Sequence, residues 1–120
     1  MARSLVVKAT AGADSPERCS QAFTVAATAA ASGVTTSLWL TGEAVWLAVP
    51  GRAAEFSLAL SPDLSSLLET LLEEGTVTVC TQCAARRDLS ADDLVAGVQV
   101  RGAAAFVAEV LEDSVQALVY

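Results

Sequence analysis

The sequence of 120 residues contains no histidine. This absence excludes Ser-His-Asp and Cys-His catalysis, proton transfer by imidazole and every metal site with a histidine ligand. Cysteine is scarce too, but the three thiols, Cys19, Cys80 and Cys83, are the best remaining candidates for chemistry near neutral pH. The search for an active site therefore starts from these three side chains.

Basic residues are also few, since 7 Lys and Arg stand against 14 Asp and Glu, which gives a net charge of −7. Proteins that bind nucleic acids need clustered cations to displace counterions, so this balance argues against a nucleic-acid partner. Charged residues make up only 18% of the chain and hydrophobic residues 53%, which excludes a disordered chain. The length fits a single domain over residues 1–120. The apolar content is high for a domain of this size and favours a homo-oligomer.

Neither a membrane span nor a signal peptide is predicted. Residues 19–42 carry no charge and are long enough to cross a bilayer, but they are rich in Ala, Ser and Thr and are interrupted at Ser32-Gly33. The apolar run near the N-terminus is too short for a signal peptide, because Lys8 interrupts it. We therefore expect a cytoplasmic protein without a membrane partner, in which thiols stay reduced.

Short β-branched runs alternate with stretches of helical periodicity. This order predicts an α/β fold, a three-layer α/β/α sandwich around a five-stranded, mainly parallel sheet. Ser15 is predicted to cap the first helix and Gly33 to end it. Strands are predicted at residues 5–9, 34–40, 76–80, 98–100 and 115–120. Helices are predicted at residues 16–32, 61–74, 89–94 and 102–111, while residues 41–60 have no clear assignment.

Ligands of parallel α/β sheets bind beyond the carboxyl ends of the strands. The loops 10–14, 41–43 and 81–88 follow the first three predicted strands and are expected to converge there. The predicted substrate pocket consists of Thr10, Gly12, Thr41, Gly42 and Trp46. For Trp46, a place in the pocket wall and a place in the core are equally compatible with the sequence. Loop 10–14 matches no phosphate-binding fingerprint, so an ordinary strand-to-helix turn is favoured over an anion site.

The segment Cys80-Thr81-Gln82-Cys83 lies at the carboxyl end of the third predicted strand, and Arg86 and Arg87 follow it. A nearby cation and a helix start both favour a thiolate over a thiol. The spacing therefore predicts a nucleophilic Cys80, with Cys83 as its resolving partner. The alternative is that both cysteines are small buried side chains of the core, which free cysteines often are.

Three other sites fit the sequence less well. Structural zinc needs four Cys or His ligands, and here carboxylates or a second subunit would have to complete the shell, so no metal is predicted. A thioredoxin-like exchanger carries its cysteine pair after an early strand, at the start of a long helix, which differs from the order here. Cys19 is in phase with Phe23 and Ala26 on a helix face, so core packing is favoured, although an approach to Cys80 stays open.

Several segments together resemble the DsrE/DsrF-like sulfur-relay family, which includes predicted peroxiredoxins. The resemblance covers nearly the whole chain. It rests on Thr10-x-Gly12 before a Pro-Glu-Arg helix start, on Gly33 before the second strand, on Leu40-Thr41-Gly42-Glu43-Ala44-Val45, and on Val79-Cys80 followed by Arg86-Arg87.

Individual residues match the family pattern to different degrees. Cys80 and Arg87 stand at the positions of the family's reactive cysteine and of the arginine about seven residues later. Cys83 matches a second cysteine that only some members have, and Asp88 stands where glycine is common. The resemblance implies a parallel α/β/α domain, assembly into trimers or hexamers, and a cysteine that carries sulfur as a persulfide.

Three functions follow as hypotheses. The first is a sulfur carrier or sulfurtransferase in which Arg86 or Arg87 stabilises the Cys80 anion, with sulfur donor and acceptor proteins or small persulfides as partners and no cofactor. The second is a thiol–disulfide redox protein or sensor that uses Cys80 and Cys83. The third is a non-catalytic oligomeric binding module. The sequence supports peroxide reduction only through the presence of a cysteine and an arginine, which is not sufficient for that assignment.

Overall fold

The computed structural model describes residues 3–120, which contain one sheet of five strands in the order β4-β3-β2-β1-β5. Every neighbouring pair of strands is parallel. The α/β/α fold class predicted from the sequence is confirmed, and the sheet is wholly rather than mainly parallel. The strands are β1 (Ser4–Ala9), β2 (Thr35–Leu40), β3 (Thr76–Cys80), β4 (Gln99–Arg101) and β5 (Val115–Val119).

Within residues 3–120, five α-helices and two 3₁₀ helices connect the strands. The α-helices are α1 (Pro16–Ala31), α2 (Arg52–Glu55), α3 (Leu64–Glu74), α4 (Thr81–Arg86) and α5 (Ala103–Val110). The 3₁₀ helices are Gly42–Ala48 and Ala91–Asp93. The helices predicted at residues 16–32, 61–74 and 102–111 correspond to α1, α3 and α5. The helix predicted at residues 89–94 is only the 3₁₀ helix Ala91–Asp93, and the predicted loop 81–88 contains α4. The segment 41–60, unassigned from the sequence, contains the longer 3₁₀ helix and α2.

The ends of α1 follow the expected pattern with one difference. Pro16 begins the helix, where its missing N–H costs no hydrogen bond, and the helix ends before Gly33. Ser15 occupies the N-cap position, but its side chain makes no capping hydrogen bond, so that part of the prediction is wrong. Its backbone instead shapes the turn, because its N–H donates to the carbonyl of Gly12 and its carbonyl accepts from the N–H of Cys19.

The two faces of the sheet carry different side chains. We call the first the α1 face. There Val7, Leu38 and Val77, aligned by the strand register, are buried with α1 and α3 in the core. The inward residues of α1 are small, and alanine at Ala22 and Ala26 lets the helix lie close to the strands. This face holds most of the apolar core.

The opposite face, which we call the α5 face, is more polar. Trp39 is buried there and meets the ring of Phe106 of α5 edge to face, with centroids 5.2 Å apart. The Arg101 guanidinium lies 5.1 Å from the centroid of the Trp39 ring and binds Glu109 of α5 at 3.2 Å. Arg101 also donates to the Thr78 hydroxyl at 3.0 Å. One aromatic pair and one ion pair thus hold α5 against the sheet.

The helices vary in length, and α1 is the longest of the α-helices in the described part of the chain. None of the helices within residues 3–120 combines the length and the apolar character that a bilayer crossing requires.

Candidate functional site

The loops after β1, β2 and β3 meet at the carboxyl edge of the sheet, as the sequence predicts. Both the N–H and the hydroxyl of Thr41 donate to the carbonyl of Ala9, at 2.9 and 3.1 Å. A Cβ atom on Gly12 would overlap the carbonyl oxygen of Glu43. One on Gly42 would lie 2.9 Å from the carbonyl oxygen of Thr10. These glycines are needed because the two loops touch through their backbones.

Trp46 is half-buried beside these loops, and the Arg52 guanidinium lies 4.8 Å from the centroid of its ring. It lines a cavity of about 280 Å³. The other lining residues are Ala13, Glu43, Leu47, Arg52, Glu55 and Phe56. Of the predicted pocket residues, Thr10, Gly12, Thr41 and Gly42 do not line this cavity, and neither does Cys80. The structure therefore gives Trp46 a place in a pocket wall near the loops, but not in contact with the thiol.

Cys80 is the last residue of β3 and precedes α4 directly. Its register partner on β4 is Arg101, and it is partly exposed. Partial burial raises the pKa of Cys80, but hydrogen bonding to the backbone and thiol of Cys83 and to the backbone of Gln82 lowers it, as does the charge of Lys8. The net effect places the pKa of Cys80 below its ordinary value. A lower pKa means a larger fraction of nucleophilic thiolate near neutral pH.

Cys83 lies within α4, one helical turn beyond Cys80, and packs partly against the core. Its thiol and its backbone both favour the anion of Cys80. Its carbonyl oxygen accepts a hydrogen bond from Arg87 at 3.0 Å. The structure therefore brings Cys80 and Cys83 together as neighbours in one short segment.

Arg87 is largely buried and connects α4 with the 3₁₀ helix Gly42–Ala48. Its Nε and Nη2 atoms donate to one carboxylate oxygen of Glu43 at 2.9 and 2.8 Å. Together with the bond to the carbonyl of Cys83, these contacts use three of its five N–H donors. Arg87 thus lies in the site and fixes the position of α4. Arg86 is exposed and forms no hydrogen bond or ion pair with residues 3–120.

Lys8 belongs to the site but was not found by reasoning from the sequence. It lies in β1 on the α5 face, the same face as Cys80, and its ammonium group lies 5.0 Å from the centroid of the Phe106 ring. The available signal was a single charge inside the apolar strand Ser4–Ala9. A charge at such a position, on a strand next to the reactive edge, is a candidate for function.

Cys19 is fully buried in the core on the α1 face, which confirms the prediction of core packing. Burial raises the pKa of Cys19 to about 12, with a further contribution from the charge of Asp14. Cys80 projects on the other face of the sheet. The two sulfur atoms therefore do not approach each other, an arrangement that the sequence had left open.

Residues 3–120 contain no cluster of three or more Cys, Asp or Glu side chains arranged to hold a metal ion.

Comparisons with known proteins agree with this architecture. The model of the DsrE/DsrF-like family matches residues 3–118. The crystal structure of the ychN protein from E. coli is similar over all of both chains, with a TM-score of 0.72 and 18% identity. Protein MTH1491 from Methanobacterium thermoautotrophicum, of unknown function, is similar over all of both chains, with a TM-score of 0.73 and 12% identity. Protein BT1422 from Bacteroides thetaiotaomicron, also of unknown function, has a TM-score of 0.64 and 17% identity. The similarity covers 98% of this chain and 94% of BT1422. A search of curated proteins found no match.

Proposed function

The chain belongs to the DsrE/DsrF-like family, and we propose that it acts in sulfur relay as a carrier that holds sulfane sulfur on Cys80 as a persulfide. One observation carries this proposal. Cys80 is a partly exposed cysteine with a lowered pKa, at the carboxyl edge of a parallel sheet where such folds bind ligands. Cys19, by comparison, is buried and protonated, and has no place in the reaction.

The proposed transfer needs no oxidant. The Cys80 thiolate attacks the outer sulfur of a donor persulfide, a new S–S bond forms to the Cys80 sulfur, and the donor's own S–S bond breaks. The electron pair of that bond leaves with the donor as a thiolate, which takes up the proton of the transferred sulfur. An acceptor thiolate then attacks the outer sulfur of the Cys80 persulfide and regenerates the Cys80 thiolate.

The surrounding residues support this chemistry in different ways. The backbone and thiol of Cys83 and the backbone of Gln82 favour negative charge on the Cys80 sulfur. Arg87 acts as a positioning residue, because its guanidinium holds the carbonyl of Cys83 and the carboxylate of Glu43 together. Arg86 is free to meet an anionic group of a donor or acceptor, since its side chain is exposed.

The proposed partners are sulfur donor and acceptor proteins or small persulfides. We further propose that the chain forms a homo-oligomer, a trimer or a hexamer. The outer surface of α5 supports this, since Ala103, Ala104, Val107 and Ala108 are exposed there without a charged residue among them. Exposed apolar patches of this kind are typical of interaction surfaces.

Mass spectrometry tests the carrier role. The reduced protein is incubated with glutathione persulfide, and the Cys80 peptide is expected to gain the mass of one sulfur atom. Cys83→Ser and Cys19→Ser are the matched controls, and both should retain loading at Cys80. Loading that persists in Cys80→Ser at another residue, or no loading of the native protein, would contradict the proposal.

A thiol–disulfide function is the second candidate, because the Cys83 thiol lies near enough to Cys80 to affect its ionisation. In this reaction both thiols lose their protons and give two electrons to a small disulfide, such as oxidised glutathione, which leaves as two thiols. Equilibration against glutathione buffers should yield a reduction potential between about −180 and −320 mV, the range of cellular couples. If Cys80 and Cys83 form no disulfide under these conditions, this candidate fails.

A further inference from the structure

Two cations, Lys8 and Arg101, lie on the α5 face of the sheet, and only one of them is neutralised. Arg101 forms an ion pair with Glu109 at 3.2 Å and donates to the hydroxyl of Thr78. Lys8 forms no ion pair with any residue of the range 3–120, and its ammonium group lies against the Phe106 ring at 5.0 Å. The Lys8 residue is partly buried, and its ammonium group, which is not paired with a carboxylate of residues 3–120, remains available to a nearby anion.

The strand register brings Lys8 and Cys80 to the same region. Lys8 is aligned with Trp39 on β2, and Trp39 with Thr78 on β3. Because side chains alternate along a strand, Cys80 projects on the same face as Thr78, two residues nearer the carboxyl edge. The side chain of Lys8 is long enough to extend toward that edge from a strand two positions away.

Nearby carboxylates are already engaged. On α5, Glu109 binds Arg101, and Glu43 of the 3₁₀ helix binds Arg87 of α4. In the loop after β1, Asp14 accepts a hydrogen bond from the N–H of Gly12. Asp88 follows α4, and Tyr120 donates its N–H to the carbonyl of Lys8 at 2.9 Å, but within residues 3–120 neither forms an ion pair with Lys8. The thiols of Cys80 and Cys83 are further acidic groups at this edge.

We propose that Lys8 is the counter-charge of Cys80, and that it keeps this sulfur ionised both as a thiolate and, if the proposed function holds, as a persulfide. Lys8 acts through Cys80 and does not touch a substrate, so it is a positioning and charge-setting residue. The pKa of Cys80 agrees in direction: burial raises it, hydrogen bonding to Cys83 and Gln82 lowers it most, and the charge of Lys8 lowers it further. The roles are then divided: Lys8 contributes charge, while Arg87 holds α4 in place.

The test is the pH profile of Cys80 alkylation by iodoacetamide, read on the Cys80 peptide by mass spectrometry. In Lys8→Met the midpoint should move to higher pH, and the rate at pH 7 should fall by roughly two- to fivefold, because a positive charge near the sulfur is lost. Lys8→Arg should restore the native midpoint. Arg18→Met removes the same charge from an exposed position on α1 and should leave the profile unchanged.

Circular dichroism verifies that each variant is folded, and Lys8→Gln replaces Lys8→Met if the latter unfolds. A folded variant without the lysine charge but with the native midpoint would overturn the proposal, as would a Lys8→Arg variant that behaves like Lys8→Met. Persulfide loading is measured on the same proteins. If the native chain accepts no sulfur while the midpoint still moves in Lys8→Met, the sulfur-carrier function fails and the role of Lys8 stands.

Discussion

Cys19 and Cys80 carry the same thiol in different electrostatic surroundings. Cys19 lies in the apolar core beside α1, where burial opposes ionisation. Cys80 lies at the sheet edge, where hydrogen bonding and a lysine charge outweigh partial burial. A thiol reagent at neutral pH should therefore distinguish them, with Cys80 reacting first and Cys19 only on unfolding.

Burial of Cys19 predicts a loss of stability in alkali. An unfolded thiol ionises near its ordinary pKa of 9.0, whereas the folded one ionises at about 12. The stabilising contribution is therefore complete below pH 9 and falls by about 1.4 kcal/mol per pH unit between pH 9 and 12, because the unfolded state loses its proton first. Urea unfolding under reducing conditions at several pH values measures this slope.

Cys19→Ala supplies the comparison for that experiment. It lowers stability at every pH by leaving a small cavity, but it should also remove this part of the alkaline slope. Parallel curves for the native protein and Cys19→Ala between pH 9 and 11 would contradict the argument.

At the residue scale, the sequence predicted the position of Cys80 well because a strand end is a local feature. The residues that surround Cys80 were harder to predict from the sequence. Arg86 and Arg87 are close in sequence, yet Arg87 turns to Glu43, which lies 44 residues away along the chain. Lys8 comes from a strand two positions across the sheet, so its relation to Cys80 depends on strand order and register. Such long-range contacts are not visible in local patterns.

At the scale of secondary-structure elements, the loop after β1 contacts the 3₁₀ helix Gly42–Ala48 through the backbone of Gly12. Its φ angle is not positive, so alanine is allowed by the backbone and only the collision with the carbonyl of Glu43 opposes it. Gly12→Ala should cost about 1–3 kcal/mol of unfolding free energy, as overpacking usually does. Chemical denaturation measures this cost.

Gly102→Ala is the matched control for Gly12→Ala. A Cβ atom at Gly102 would lie 3.9 Å from the nearest atom, the hydroxyl oxygen of Thr81, and the backbone there is extended. Because Gly102 is the N-cap residue of α5, where glycine is preferred to alanine, the cost should be about 0.5–1 kcal/mol. Equal losses in the two variants would show that the close approach at Gly12 has no special cost.

The contact between α4 and the 3₁₀ helix depends on the ion pair of Arg87 with Glu43. Glu43→Gln keeps the shape and removes the charge, and because the carboxylate is partly exposed the cost should be only about 0.5–1 kcal/mol. The amides of α4 should exchange faster with solvent, since the helix is held less firmly. Hydrogen exchange measures this effect.

Glu69→Gln removes the same charge from the exposed surface of α3 and should leave the exchange of the α4 amides unchanged. If α4 is equally protected in Glu43→Gln and in the native protein, the ion pair does not hold the helix.

The strands and the long helices were predicted from the sequence because their signals are local: β-branched runs for strands, and the leucine stripe for α3. The structure of residues 41–60 was not predicted, since neither a helical nor a strand-like hydrophobic pattern extends through the whole segment. The structure explains this difficulty. The 3₁₀ helix Gly42–Ala48 buries Ala44, Val45, Leu47 and Ala48 on several sides, and α2 has only four residues. Tertiary packing rather than local preference sets their form.

At the scale of the whole molecule, α5 is oriented opposite to an ordinary surface helix. Its one charged residue, Glu109, points toward the sheet and binds Arg101, while Val107 is 50% exposed. Leu111, just beyond the helix, is 76% exposed. This surface is the expected contact between copies of the chain, because an uncharged, apolar outer face is unfavourable in water.

Val107→Glu should therefore lower the molecular mass measured by light scattering, since a charge would be buried in the contact. Gln21→Glu is the control, because Gln21 is an exposed polar residue of α1 and its substitution should leave the assembly intact. A native protein that is monomeric at micromolar concentration, or an assembly that tolerates Val107→Glu, would contradict the prediction.

The interlocking of the loops at Gly12 and Gly42 limits how this protein can be redesigned. Main-chain atoms meet there and a Cβ atom would lie too close to a carbonyl oxygen, so substitutions at those positions are expected to destabilise the fold. Diversity is better directed at the cavity beside Trp46, whose wall includes the side chains of Ala13 and Phe56. A search for a ligand of this cavity should begin with variants of these two residues.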